Sequence, residues 1–405
     1  MLLRRLRPPR VAYTPELRWL LLRAFGPLGT TFGAPLESDR VVELAATYNL
    51  APRIVTRHPG HVVNAELGRE HATQLVVLQL ADAARTRRLV RFIPHLAERA
   101  AALVIPIVFL KFAALYLDGV ISPDGRPAVD LDILVRPSDA SRLALALTQD
   151  GFSTKEVGPI PHEFHLPPLS DARRGVTIEI HGAVRGLRLD ARRTSPDLDD
   201  LQANALLRPV ASLPGECFSP TRDVQLAYLL IHGLAQHGHA TGSYPLFRLV
   251  SDLIDLDAAR LLSGDTSAAL RWTQGYLSKA DIEATGRLVS LLACGDERLF
   301  SAREHERPAR VILDHLIAGP TNQDYRNALA LDAIHSPPSD LAPHRSVGRR
   351  LLATVFLSRQ ALDDRYGRPS SEFGYVVLRL FRPFDLLFRV GPRMLARAIK
   401  HRRSN

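Results

Sequence analysis

Residues 109–139, FLKFAALYLDGVISPDGRPAVDLDILVRPSD, decide the fold of this chain. Within them, VDLDILV (residues 129–135) alternates acidic and apolar side chains, which predicts a β-strand. FAALYLDGV, which comes before it, predicts a helix, and a turn-rich loop joins the two. Because residues two apart on a strand face the same way, Asp130 and Asp132 should project side by side. Leu131 and its alternate neighbours should face the opposite side and join a core.

Similar elements lie on both sides of this stretch. LVIPIVFL, residues 103–110, is dense in β-branched residues and predicts a buried strand. After the aspartate-bearing strand, Ser138 is expected to cap a helix that Gly151 closes. VTIEIHG, residues 176–182, predicts one more strand. Strand, helix, strand, helix and strand in this order predict a small mixed sheet with helices.

Helical patterns flank the predicted sheet. PELRWLLLRAF follows Thr14, an N-cap residue, and has proline at its first helical position. Residues 64–100 repeat apolar positions at intervals of three and four, with Gly68 and Pro94 as interruptions. Further along, Ser219 and the proline after it are expected to cap another helix. The predicted fold class is therefore α+β, a small mixed-sheet core flanked by N-terminal and C-terminal helical regions.

The length of the chain and these changes of pattern predict four segments. At 405 residues the chain exceeds one typical domain of about 150 residues. Residues 1–100 are predicted to be a helical region, 101–215 the mixed-sheet core, 216–340 a helical domain, and 341–405 a basic, aromatic tail. HSPPSDLAP, just before the tail, is the best linker candidate.

Composition excludes several classes of protein. The hydrophobic fraction of 46% and the charged fraction of 23% are ordinary for globular domains. Cys217 and Cys294 lie in no metal-ligand spacing, so we expect neither a zinc site nor a disulfide framework. The longest apolar stretch, residues 100–110, is about half of the ~20 residues that a membrane span needs. With no secretory signal pattern after the basic N-terminus, the sequence predicts a soluble, cytoplasmic protein.

The net charge of +10 favours anionic partners, although much of the excess lies at the two ends of the chain. In the tail, arginines such as Arg379 and Arg382 are interleaved with phenylalanines, as in an interfacial or RNA-binding helix. Pro383 interrupts this pattern. We therefore expect the tail to pack its apolar residues on the protein and not to contact a membrane.

The acidic residues on the strands suggest a metal site. Two adjacent carboxylates repel each other, and Mg²⁺ is commonly held by one or two carboxylates together with substrate phosphates. A second ion about 3.5–4 Å away supports in-line phosphoryl displacement. Glu179 lies on a strand with Ile178 and Ile180 on the other face, so it is a candidate third ligand. The alternative for Asp130 and Asp132 is a solvated strand face.

The stretch at residues 109–139 resembles the hallmark segment of uncharacterised bacterial nucleotidyltransferases of the polymerase-β-like superfamily. Their pattern is Leu-Lys-Gly-Ala, a helix, an arginine in a loop, and then Asp-(Ile/Leu)-Asp-(Ile/Leu)-Leu-Val. VTIEIHG is similar to their third acid-bearing strand. SPTRDVQLAYLLIHGLAQHG and FRLVSDLIDL resemble their helical part, so that the resemblance covers about residues 100–260.

The resemblance implies transfer of an NMP group from an NTP such as ATP to an acceptor hydroxyl, with two Mg²⁺ or Mn²⁺ ions. Asp130 and Asp132 would bind both ions, and Glu179 would bind the ion that activates the hydroxyl or act as general base. Lys111 and Arg126 would bind the triphosphate or the leaving pyrophosphate. The acceptor is open between a protein, RNA, a sugar and a small molecule, and so is the oligomeric state.

Structural alternatives accompany these roles. Lys111 can simply cap a sheet edge. Arg126 can have no role beyond an ion pair with Asp124 or Asp130. Where the family has glycine, this chain has Phe112, whose bulk is expected to hinder the approach of backbone to phosphate. A catalytically impaired member that binds nucleotide or a partner is therefore one alternative function. A nucleic-acid or membrane adaptor that uses the basic tail is another.

The histidines extend the candidate site. His181 follows Glu179 by two residues on the same strand face, so it is predicted to contact nucleotide or a metal-bound water, or to be a buried structural histidine. His162 and His165 are weaker candidates for contacting the nucleotide or the acceptor. His232, with His237 and His239, fits no standard zinc spacing, and helix packing or a place at the edge of the site is expected. Asp252 is expected to be exposed or ion-paired.

Overall fold

The computed structural model describes residues 11–154, 166–184, 186–189, 195–236, 246–257, 272–273, 277, 279–300 and 307–318. The chain divides into two compact units, of which the first comprises Met1–Lys155 and Phe164–Arg326 and contains all of these residues. The predicted linker, the basic tail and four of the histidines considered above lie outside the described residues. Those histidines are His162, His165, His237 and His239.

Helices precede and follow a sheet along the described chain. The first helices are α1 (Pro15–Phe25), α2 (Ser38–Thr47), α3 (Ala51–Arg57), α4 (Gly60–Leu67) and α5 (Arg69–Ala102). The sheet region contains β1 (Ile107–Phe109), α6 (Lys111–Leu117), β2 (Leu131–Leu134), α7 (Pro137–Gln149), β3 (Ser153–Thr154), β4 (Leu169–Asp171), β5 (Val176–His181), α8 (Leu198–Ala203), β6 (Leu207–Pro209) and β7 (Cys217–Pro220). The last helices are α9 (Arg222–Leu230), α10 (Leu246–Asp255), α11 (Lys279–Ala293) and α12 (Arg307–Ala318).

The sheet is mixed, with the strand order β3-β4-β5-β2-β1-β7-β6. Strand β2 pairs in parallel with β5 and antiparallel with β1, and β1 pairs in parallel with β7. The remaining pairs are antiparallel. The predicted fold class, a small mixed sheet between helical regions, is confirmed. The four predicted segment boundaries stay predictions.

The two faces of the sheet are buried by different helices. Leu131, Ile133 and Val135 are completely buried and belong to a core cluster that includes side chains of α5 and α7, as the strand alternation predicts. On the other face, Val108 and Leu134 pack with residues of α8 and α9. The acidic residue of β2 therefore emerges on the face that α9 covers.

The N-terminal and later helices share a second core. Side chains of α1 and α3, such as Trp19 and Ile54, cluster with Phe247 of α10, Leu288 of α11 and Leu313 of α12. Each of these side chains is at most 2% exposed. Helices distant in sequence thus form one apolar cluster beside the sheet.

Two predictions about element ends are confirmed. Thr14 caps α1, since its hydroxyl accepts a hydrogen bond from the backbone N–H of Leu17 at 3.4 Å. Gly151 follows α7 with φ = 99°, the left-handed conformation that glycine adopts at a helix end.

Other element ends differ from the prediction. The strand predicted over residues 103–110 is only Ile107–Phe109, because Val104 adopts φ = 54° just after α5 and is 87% exposed. Helix α7 begins at Pro137 without a side-chain cap, so the predicted cap at Ser138 is wrong. Ser219 lies in strand β7, where β6 pairs with it, and Thr221 occupies the N-cap position of α9.

Gly68 and Pro94, the two interruptions of the long helical pattern, have different effects on helices α4 and α5. Gly68, with φ = 81°, separates α4 from α5, so the pattern predicted as one long helix forms two. Pro94 is accommodated inside α5. None of the helices in the described part of the chain is both long enough and apolar enough to cross a lipid bilayer.

Candidate active site

The junction between β1 and α6 positions a lysine over the neighbouring strand. The backbone N–H of Leu110 donates to the carbonyl of Asp132 at 2.9 Å, which fixes the end of β1 against β2. Lys111, the first residue of α6, then adopts the left-handed conformation with φ = 47°. Its Nζ lies 2.7 Å from Oδ1 of Asp132. This lysine therefore contacts the acid-bearing strand directly.

Parallel pairing of β2 with β5 brings two acidic residues together. In this register Asp132 is opposite Glu179, and Leu134 is opposite His181. Since partners in adjacent strands share a face, Glu179 and His181 project on the same side as Asp132. The predicted convergence of the third acid on Asp132 follows from this register.

His181 completes a compact group of donor atoms that could hold a metal ion. Its Nε2 is 2.9 Å from Oδ1 of Asp132 and 3.7 Å from Oε2 of Glu179. One donor atom from each of these three residues lies within 4.8 Å of the others. The group found among the described residues does not include Asp130, which immediately precedes β2 and is half-buried.

Burial and charge act in opposite directions on the central ion pair. Burial alone would raise the pKa of Asp132, but the charges and hydrogen bonds of Lys111 and His181 hold that pKa well below its usual range. For Lys111, burial would lower the pKa of the ammonium, but nearby carboxylates, chiefly Asp132, raise it. Both groups are therefore charged at neutral pH.

The pKa values of the other two carboxylates beside Asp132 are raised. Burial, followed by the charge of Asp132, raises the pKa of Glu179 to about 7. Burial and the same charge also raise the pKa of Asp130. Burial and nearby like charges both make the ionised form of a carboxylate less stable, and a bound cation would offset both effects. The oxygen and nitrogen donors of this acidic group fit a divalent cation.

Comparison with known proteins identifies the family. A family model described as uncharacterised nucleotidyltransferase matches residues 34–268, which is more than half of the chain. The chain belongs to this family. Searches of curated proteins and of solved structures give no match. The predicted resemblance is thereby confirmed, and in nucleotidyltransferases a divalent metal is usual, which agrees with the donor group at Asp132, Glu179 and His181.

In this family member, Arg126 is held by a buried aspartate. Its Nε and Nη2 donate to the two carboxylate oxygens of Asp252 at 2.9 and 2.7 Å, and Nη1 donates to the carbonyl of Pro127. Asp252 is completely buried, so of its two predicted states the ion-paired one is found. Asp124 pairs with Arg87 instead. The predicted contact of Arg126 with phosphate stays a prediction.

Phe112, which replaces the glycine of the family pattern, lies in the core. Its side chain is 3% exposed and stacks on Tyr116 with ring centroids 6.3 Å apart. The guanidinium carbon of Arg126 is 5.4 Å from the Phe112 ring centroid. The aromatic ring is therefore accommodated by the apolar cluster and the Arg126 side chain.

Sequence reasoning missed two residues beside the site. Tyr228 on α9 is 4% exposed and is close enough for its charge state to influence Lys111. Its ring centroid is 5.9 Å from that of His232, which is buried and packs within the helical part, as predicted. The charge of Arg248 partly offsets the burial that raises the pKa of Asp130. The spacing of four between Tyr228 and His232 puts them on one helix face, but no motif marks Arg248.

Proposed function

We propose that this nucleotidyltransferase moves an NMP group from an NTP, such as ATP, to an acceptor hydroxyl and releases pyrophosphate. The observation that carries the proposal is the buried group of Asp132, Glu179 and His181, where paired strands concentrate negative charge. A family match to nucleotidyltransferases supports the same reaction class.

The carboxylates are the proposed metal ligands. Asp130, Asp132 and Glu179 would hold two Mg²⁺ or Mn²⁺ ions, whose bound charge would stabilise the transferred phosphate and make the acceptor hydroxyl more acidic. Glu179 would bind the ion that activates this hydroxyl or act as its general base. Asp132, which remains ionised, provides the permanent negative charge that attracts the ions.

Cationic side chains would act on the phosphates. Lys111 is the proposed contact to the triphosphate and leaving pyrophosphate, because its long flexible side chain can exchange Asp132 for a phosphate oxygen. Arg126 binds Asp252 and the carbonyl beside it, and we propose that it supports nucleotide binding by fixing the loop that leads to Asp130. Both roles depend on positioning and electrostatics.

The proposal is tested by label transfer. The full chain is incubated with Mg²⁺ or Mn²⁺ and each α-³²P-labelled NTP in turn, with a cell lysate as source of acceptor. Transfer of label or release of pyrophosphate that Asp130→Ala/Asp132→Ala abolishes would support the proposal. A matched control is Asp199→Asn, which removes an exposed carboxylate of α8 and should retain transfer. The labelled fraction, whether protein, RNA, sugar or small molecule, identifies the acceptor class.

A second candidate function is nucleotide binding without transfer, and Phe112 favours it. The side chain stands where the family pattern has glycine, and glycine allows backbone to approach phosphate closely. Metal-dependent NTP binding with no label transfer would support this function. If the Phe112→Gly variant transfers label and the wild type does not, the phenylalanine side chain is the cause of the missing transfer activity.

A further inference from the structure

We propose that His181 binds the metal directly through Nε2 and makes the site select Mn²⁺ over Mg²⁺. The inference rests on the proposed function, because it concerns the cation of the same site. It goes beyond that function by adding a nitrogen ligand to the carboxylates and by naming the preferred ion.

The distances between donor atoms are close to those of ligands around one ion. Two donors about 2.1–2.2 Å from an ion and at right angles are about 3.0 Å apart, and a wider angle increases this separation. Nε2 of His181 is 2.9 Å from Oδ1 of Asp132 and 3.7 Å from Oε2 of Glu179. Small side-chain rotations would bring all three donors around a common centre.

The imidazole is also held in place before any ion binds. His181 is 6% exposed and lies at the end of β5, where it pairs in register with Leu134 of β2. A buried ring on a paired strand loses little conformational freedom when it becomes a ligand. The protein thus presents an imidazole nitrogen to the site at small entropic cost.

The chemistry of the donors distinguishes between ions. Mg²⁺ binds oxygen ligands almost exclusively and keeps several waters, whereas imidazole suits transition metals. Mn²⁺ accepts carboxylates and water as Mg²⁺ does, and it also accepts an imidazole nitrogen. Two carboxylate oxygens and one imidazole nitrogen therefore favour Mn²⁺.

The competing explanation is that His181 only donates a hydrogen bond to Asp132 and so orients this carboxylate. In that arrangement, loss of the imidazole would weaken Mg²⁺ and Mn²⁺ binding to similar extents. The bound Mn²⁺ would show no magnetic coupling to a histidine nitrogen. The two explanations therefore differ in a spectroscopic signal that does not depend on enzyme activity.

The experiment uses Mn²⁺ and the full chain. Free Mn²⁺ is measured by electron paramagnetic resonance during titration, Mg²⁺ affinity is obtained by competition, and electron spin echo envelope modulation detects nitrogen bound to Mn²⁺. We expect imidazole coupling in the wild type and its loss in His181→Ala and His181→Gln. Mn²⁺ affinity should fall roughly tenfold or more, and Mg²⁺ affinity by less than about threefold. His58→Gln replaces another buried histidine, which binds the carbonyl of Arg23, and should leave the coupling unchanged.

The outcomes separate this inference from the proposed function. One outcome is that the wild type binds Mn²⁺ without nitrogen coupling and that Asp132→Asn abolishes this binding. His181 is then not a ligand, and only the further inference is overturned. If the wild type binds neither ion, the metal centre of the proposed function fails as well. Because the wild-type signal alone decides whether nitrogen is bound, the test does not depend on the stability of either His181 variant.

Discussion

Two buried pairs of a cation and a carboxylate differ in the balance of their charges. Arg126 and Asp252 meet one to one, with two parallel hydrogen bonds and side chains that are 5% and 0% exposed. Lys111 contacts Asp132 through a single 2.7 Å ion pair, with side chains that are 11% and 3% exposed. Around the second pair, Glu179 and other carboxylates add negative charge.

The difference distinguishes a structural pair from a candidate binding site. A bidentate pair satisfies both partners, so it connects the loop at Arg126 to α10 without requiring any other ion. Near Lys111, burial and the charge of Asp132 raise the pKa values of Glu179 and Asp130, and such perturbed groups cluster at functional sites. An ion pair surrounded by further carboxylates is therefore a better candidate for a functional site than a buried pair whose partners satisfy each other.

The largest expected effect is on the rate of nucleotidyl transfer when Asp132, the partner of Lys111, is replaced. Asp132→Asn should reduce nucleotidyl transfer at least about a thousandfold, which is about 4 kcal/mol in activation free energy, because the permanent negative charge for the metals is lost. The free energy of unfolding should also fall, because the depressed pKa of Asp132 means that its charge stabilises the fold, but by less than in the Asp252 variant, since Asp130 and Glu179 remain near Lys111. Label-transfer rates and urea unfolding measure the two quantities. A stability loss as large as in the Asp252 variant would remove the distinction between the pairs.

The pair of Arg126 and Asp252 is expected to affect the free energy of unfolding most strongly. Asp252→Ala leaves the buried guanidinium of Arg126 without its bidentate partner, so the free energy of unfolding should fall by about 3–5 kcal/mol. Urea unfolding measures this loss. A matched control is Glu297→Ala, which breaks an exposed pair with Arg18 and should cost less than about 1 kcal/mol. Equal losses in the two variants would contradict the structural role of Asp252.

Lys111 should compete with the metal for Asp132. Lys111→Met removes the ammonium that occupies Oδ1, so Mn²⁺ affinity without nucleotide should rise roughly tenfold. Arg126→Lys keeps the charge of the other pair and should leave this affinity within about threefold. Calorimetric titration of both variants provides the comparison, and weaker Mn²⁺ binding in Lys111→Met would refute competition.

The smallest expected effect is the number of protons that the protein releases when it binds Mn²⁺. Glu179 has a pKa of about 7 and must lose its proton to bind a cation, so metal affinity should increase as the pH rises through 7. Mn²⁺ binding should release about one proton at pH 6 and nearly none at pH 8.5, as measured by calorimetry in buffers of different ionisation enthalpy. Glu179→Gln serves as control and should release far less at pH 6. Proton uptake at pH 6 would contradict the assignment.

Local patterns predicted much of the sheet and part of the site. Alternation in β2 and β5 is a short-range signal, and it correctly assigned faces to Asp132, Leu131 and Glu179. Which strands are neighbours is a long-range property of the chain. The strand pattern made Glu179 a candidate third ligand and the resemblance supported it, but only the register of β2 and β5 shows that it lies opposite Asp132.

Two of the remaining differences also arise from long-range contacts. Asp252 lies 126 positions from Arg126, so no local pattern predicts their pairing. Ser219 has the residue type of a helix cap, but pairing with β6 and β1 draws it into β7. Val104 belongs to an apolar run typical of a strand, yet it takes a left-handed turn that a β-branched residue seldom adopts. Tertiary contacts outweigh local preference at Asp252 and Ser219, whereas Val104 lies in a helix-end turn in which its backbone N–H donates to the carbonyl of Ala101.

The left-handed backbone at Lys111 has an evolutionary consequence. Lys111 has φ = 47°, and glycine or asparagine would adopt this backbone conformation at lower energetic cost. If Lys111 binds phosphate as proposed, selection for activity would retain lysine there, whereas selection for stability alone would favour its replacement. Relatives that have lost the proposed activity should therefore drift to glycine or asparagine at this position, and the drift would mark where that activity was lost in a lineage.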